Sequence, residues 1–78
     1  MMKEEEIKEH LMSSSPEYRR LAEEHRHHEI QLQALHSHHM TEHDHVEEVT
    51  LKKKKLQLKD QMNLMVQKFR SELSHQHS

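Results

Sequence analysis

A long stretch without a helix breaker, from Thr41 to about Leu73, constrains the fold of this chain more than any other feature. It contains neither Gly nor Pro, and its apolar residues recur at spacings of three and four. That period is the heptad pattern of an amphipathic helix packed against another helix. The stretch therefore predicts one long helix, whose seam residues are Leu51, Lys55, Leu58, Met62, Met65 and Phe69.

A second heptad pattern precedes it and predicts a helix over residues 16–36. Ser15 can cap the first amides, and Pro16 suits the first helical turn because no hydrogen bond is lost there. The seam residues of this helix are Tyr18, Leu21, His25, His28, Leu32 and Leu35. Thr41 followed by Asp44 is a variant of the capping box and marks the start of the long helix. We therefore place a turn at 37–41 and the long helix at 42–73.

The segment at the N-terminus is a candidate for a third, short helix. Residues 3–12 begin with acidic residues, and Ile7 and Leu11 are four apart, so they share one face. A turn near residue 39 pairs Tyr18 with Met62 and Leu21 with Leu58, which leaves the end of the long helix uncovered. Either the short helix or a partner chain covers it, and residues 74–78 form a frayed tail.

The composition fits a single helical domain over residues 1–78. Gly and Cys are absent and only one Pro is present, which excludes a disulfide framework and removes the usual turns of β-proteins. Only 31 % of the residues are hydrophobic, but 12 basic residues nearly balance 14 acidic ones, which argues against disorder. We expect an all-α fold, an antiparallel two-helix hairpin with a short N-terminal helix. So thin a core makes self-association an open alternative.

Several apolar residues lie off the two seams and form a candidate outer interface. They are Ile30, Val46, Val49, Leu56 and Leu64. Scattered apolar residues are normal on protein surfaces. The alternative is a second interface that binds another copy or another protein.

The sequence shows neither a signal peptide nor a membrane span. The first ten residues carry charge where a signal peptide would carry an apolar run. No stretch approaches the ~20 apolar residues of a membrane span. The sequence therefore predicts a cytoplasmic protein.

The chain contains eleven histidines, and these are the only residues whose number suggests a chemical role. Five flank the predicted turn and are weak candidates for a zinc, nickel or copper site: His36, His38, His39, His43 and His45. A defined site needs fixed geometry, which a polar turn does not supply, so we expect solvated histidines or weak, adventitious metal binding and no functional metal site. His25 and His28 lie in the seam, where they either pack by their ring faces or make stability depend on pH.

The Lys52–Lys55 run suggests nucleic-acid binding, but four consecutive residues span more than one helical turn and do not form one face. Interleaved aromatic residues and a basic net charge are also missing. No combination of nucleophile, base and orienting group is evident, so we expect neither an enzyme nor a cofactor.

The segments LKKKKLQLKDQM (51–62) and SPEYRRLAEEH (15–25) resemble the YdcH-like family of small bacterial proteins of unknown function. The resemblance runs from about Leu11 to Met65 and implies a helical hairpin. The role of the family is uncharacterised, so it supplies no catalytic residue. The leading hypothesis is a non-enzymatic structural or protein-interaction module that acts through its helix faces. The alternatives are a histidine-rich metal-binding module and an accessory protein associated with nucleic acid.

Overall fold

The computed structural model describes residues 2–76, and within them it is helical with two short connections. Helix α1 spans Glu4–Ser14, α2 spans Pro16–His36 and α3 spans Glu42–Gln76. The predicted hairpin with a short N-terminal helix is confirmed. The predicted tail at 74–78 differs: α3 continues to Gln76, because no Gly or Pro ends it, and residues 77–78 lie outside the described part.

Short polar residues decide where the helices begin and end. Ser15 is extended, with φ −114° and ψ 107°; its backbone N–H donates to Leu11 O at 2.8 Å, and its Oγ accepts from the Tyr18 N–H at 3.1 Å. One residue thus ends α1 and caps α2. At the start of α3, the Thr41 N–H donates to Asp44 Oδ2 at 3.0 Å and the Asp44 N–H donates to Thr41 Oγ1 at 3.2 Å. This reciprocal pair is the predicted capping box.

Helix α1 covers the end of α3 that α2 leaves open. Ile7 is fully buried and Leu11 is 7 % exposed, and both join a cluster with Tyr18 of α2 and Val66 of α3. Around this cluster pack Met2, Met62, Met65 and Phe69. The chain therefore covers its own apolar stripe, which was the first of the two alternatives left open by the sequence.

A second apolar cluster lies near the turn, and the middle of the seam is partly polar. Leu32, Leu35 and Leu51 are buried together, with Met40 against them. Six of the predicted seam residues are buried, and six are only half-buried: His25, His28, Lys55, Met62, Met65 and Phe69. The half-buried middle lets polar side chains reach solvent at the edge of the hairpin.

The register of the hairpin differs from the predicted one by about one helical turn. Tyr18 clusters with Val66, and Lys55 of α3 pairs with Glu29 of α2 at 3.5 Å. The sequence paired Tyr18 with Met62, which packs against the same cluster but is only half-buried. Heptad patterns fit equally well at registers one turn apart, so the sequence alone did not choose between them. As a result, Val66 enters the core in the predicted place of Met62, which is half-buried.

The hairpin is elongated. Its principal extents are 56 × 19 × 18 Å, and its radius of gyration is 16.1 Å, against about 11.5 Å for a compact domain of this length. Among the described residues, none of the helices is both long and apolar enough to span a bilayer.

Candidate functional site

Two of the histidines near the turn each pair with a different carboxylate of α3. His36, the last residue of α2, is hydrogen-bonded to Glu48, and His38 Nε2 lies 3.2 Å from Asp44 Oδ2. The hydrogen bond from His36 lowers the pKa of the Glu48 carboxyl below its ordinary value. The Thr41 backbone N–H, and then His38, lower the pKa of Asp44 in the same way. These pairs tie the turn to the start of α3.

The five turn histidines do not come together as a metal site. His39, His43 and His45 are exposed, and His36 and His38 each contact a different carboxylate. Across residues 2–76, no group of three or more His, Cys, Asp or Glu side chains is placed to hold a metal ion. The structure thus leaves the metal hypothesis without an assembled ligand set.

The predicted outer apolar residues are all well exposed, but they do not form one surface. Four of them lie on α3: Val46, Val49, Leu56 and Leu64, with 52–67 % of each residue accessible to solvent. At about 100° per residue, these four point roughly opposite to the buried seam of α3. Ile30, 54 % exposed, lies on the outer side of α2, which faces away from α3. We call the four residues of α3 the outer stripe.

A groove with a volume of about 430 Å³ runs between α2 and α3 on one side of the hairpin. We call it the lysine groove, because four lysines line it. Three come from α3, and the fourth, Lys8, comes from α1. Its full lining is Lys8, Tyr18, His25, Glu29, Lys52, Lys55, Leu56, Lys59, Met62 and Asn63.

The charges in the lysine groove are unequal. The lining residues comprise four lysines and one carboxylate, that of Glu29, but Glu4 and Glu48 pair with Lys8 and Lys52 from beside the groove, so the local excess is +4 − 3 = +1. Glu29 Oε1 lies 3.5 Å from Lys55 Nζ and 3.6 Å from His25 Nδ1. Lys8 and Lys52 each contact a glutamate one helical turn earlier, at 3.7 and 3.8 Å. Exposed pairs of this kind contribute only about 0–1 kcal/mol, so a ligand can displace them.

Tyr18 forms part of the wall of the groove and is only 2 % exposed as a residue. Burial raises the pKa of its hydroxyl, and the nearby Glu4 carboxylate raises that pKa further. The hydroxyl therefore stays protonated at neutral pH and can act as a hydrogen-bond donor.

The lysine run is divided between the two sides of the hairpin. Lys52 and Lys55 line the lysine groove together with Lys59, whereas Lys54 lies on the opposite side beside Glu23 and Glu24. The four consecutive lysines do not share a face, as the sequence indicated. Sequence reasoning missed that spacings of three and four do place Lys52, Lys55 and Lys59 together. It also missed Lys8, whose position depends on how α1 packs.

Residues 19–66 match the sequence profile of a family described as "Protein of unknown function (DUF465)". The match covers well over half of the chain and includes the lysine run and most of both hairpin helices. The chain belongs to this family, in agreement with the resemblance seen in its sequence. No curated protein and no solved structure matches it.

Proposed function

We propose that this member of the DUF465 family is a non-enzymatic protein-interaction module in the cytoplasm, and that it self-associates through the outer stripe of α3. The observation that carries the proposal is the outer stripe itself. Its four apolar residues are 52–67 % exposed on the side of α3 that α1 and α2 do not cover. Exposed apolar residues aligned on one face of a helix are candidates for an interaction site.

The accessible surface of the chain is large enough to form an interface with a second copy. The accessible surface is 6242 Å², whereas a folded monomer of 9.5 kDa is expected to expose about 5,000 Å². The difference, roughly 1,200 Å², exceeds the ~800 Å² per partner that a standard interface buries. An elongated hairpin thus has enough surplus surface to lose in a dimer.

The charges along the outer stripe favour a second copy in antiparallel orientation. Lys53 and Asp60 are exposed and lie between the apolar residues of the stripe. If two copies of α3 pack antiparallel about an axis near Leu56, Val49 of one copy meets Leu64 of the other. Lys53 then meets Asp60, and symmetry makes each contact occur twice. In this arrangement apolar residues meet apolar residues, and opposite charges meet.

Sedimentation of the full chain over a range of about 10–500 μM tests this proposal. We expect the average mass to rise from monomer towards dimer as concentration increases. Leu56→Lys or Leu64→Lys should keep the chain monomeric, because each places a charge in the apolar contact. Ile30→Lys is the matched control: Ile30 is equally exposed but lies on α2, so this variant should still dimerise. A wild-type chain that stays monomeric throughout would exclude the proposal.

A charge exchange tests the antiparallel register. Asp60→Lys alone brings like charges together and should weaken the dimer, as should Lys53→Asp alone. The double variant restores opposite charges at both contacts, so we expect it to dimerise like the wild type. If the double variant is as weak as either single one, the register is wrong.

A further inference from the structure

The lysine groove has a second feature besides its charge: its floor is partly apolar. Leu56 and Met62 contribute aliphatic surface, and the nearly buried Tyr18 forms part of the wall. Four lysines complete the lining. A ligand that fits must therefore carry negative charge and apolar groups together, which a bare phosphate chain does not.

The spacing of the lysines points to a helical ligand. Lys52, Lys55 and Lys59 follow one another at steps of about 4.5 and 6 Å along α3. Acidic residues three and four apart on a helix surface are separated by a similar ~5–6 Å. The groove extends over about 16 Å from Lys52 to Asn63, or three turns of helix.

The chain itself shows that an acidic amphipathic helix packs at one end of this groove. Helix α1 begins with three glutamates and buries Ile7 and Leu11 against α2 and α3. Its Lys8 lines the groove beside Tyr18 and Asn63, so α1 bounds the groove at that end. The rest of the groove, towards Lys52, is open and combines apolar surface with the lysines of α3.

We propose that the lysine groove binds an acidic amphipathic helix of another protein, with its carboxylates on Lys52, Lys55 and Lys59 and its apolar residues on the groove floor. The groove shares Leu56 with the outer stripe, but its other lining residues lie between α2 and α3, outside the stripe. Glu29 limits the affinity, since its carboxylate competes for Lys55.

Binding of a defined peptide to the full chain tests the inference. The probe is a synthetic helical peptide of about 14 residues, with Glu at spacings of three and four beside two Leu residues. We expect amide shifts in the nuclear magnetic resonance spectrum to move around Tyr18, Lys55 and Lys59. Replacing every Glu of the peptide by Gln should abolish binding.

Variants of the protein locate the site. Lys59→Gln should weaken peptide binding about fivefold, the effect of losing one contact of ~1 kcal/mol. Lys54→Gln removes the same charge from the same run, but on the other side of the hairpin, and should change binding less than twofold. Glu29→Gln should strengthen binding, because it frees Lys55.

Three results would overturn the inference. The first is equal weakening by Lys54→Gln and Lys59→Gln, which would mean diffuse charge attraction. The second is equal binding of the Glu peptide and its Gln counterpart. The third is tighter binding of tripolyphosphate or a single-stranded oligonucleotide than of the peptide, which would assign the groove to phosphate groups. None of these results bears on dimerisation, which sedimentation measures separately.

Discussion

Two leucines of α3, two residues apart, allow the assigned seam to be tested with one chemical change. Leu58 is 9 % exposed and lies between the two apolar clusters, whereas Leu56 is 60 % exposed. Leu→Ala removes three carbon atoms, each worth about 0.8 kcal/mol when buried. Because about nine-tenths of Leu58 is buried, the three carbons account for about 2.2 kcal/mol of the free energy of unfolding. The cavity left behind brings the expected loss to about 2–3 kcal/mol. At Leu56 less than half of the residue is covered, so we expect a loss under about 1 kcal/mol.

Urea unfolding followed by circular dichroism measures both losses. In thermal unfolding, each kcal/mol corresponds to roughly 4–8 °C in a domain of this size, so Leu58→Ala should lower the Tm by about 10–20 °C. The measurements belong at low micromolar concentration, because self-association would add to the apparent stability of the chain. Equal losses, or a larger loss at Leu56, would refute the assigned seam of α3.

Four further predictions concern the turn, the tyrosine and the histidines. Thr41→Ala removes one half of the capping box and should cost about 1 kcal/mol in urea unfolding. The pKa of Asp44 is lower in the folded chain than in the unfolded chain. The ionised carboxyl therefore adds to the free energy of unfolding above the unfolded pKa of ~3.9, and this stabilisation is lost as pH falls through the folded pKa. Asp44→Asn should flatten this acid dependence of the Tm. The pKa of Tyr18 is higher in the folded chain than in the unfolded chain. The protonated hydroxyl therefore adds to the free energy of unfolding below the unfolded pKa of ~10, and this stabilisation is lost as pH rises through the folded pKa. Tyr18→Phe should remove that alkaline loss, and ultraviolet titration of this single tyrosine should give the raised pKa directly. Zn²⁺ should leave the Tm unchanged, because His36 and His38 contact separate carboxylates; a rise with added Zn²⁺ would revive the metal hypothesis.

Local signals in the sequence were enough to predict the helices. Ser15 with Pro16 and Thr41 with Asp44 mark helix starts through contacts within four residues, and the structure contains both caps. The period of three and four identified Leu21, Leu32, Leu51 and Leu58 as seam residues for the same reason, since a helix sets which residues share a face. The exposed position of Leu56 follows from the same period.

The features that depend on contacts between helices could not be predicted from the sequence. The register of α2 on α3 places Val66 rather than Met62 in the core, and heptad patterns one turn apart are indistinguishable without the packed partner. The packing of α1 brings Lys8 to the groove that Lys52, Lys55 and Lys59 line, although more than forty positions of the chain separate them. The sequence by itself thus determined the helices and their apolar faces, because helix period and capping act over a few residues. Only the tertiary structure decided the register and the lysine groove, because both arise from side chains that meet across different helices.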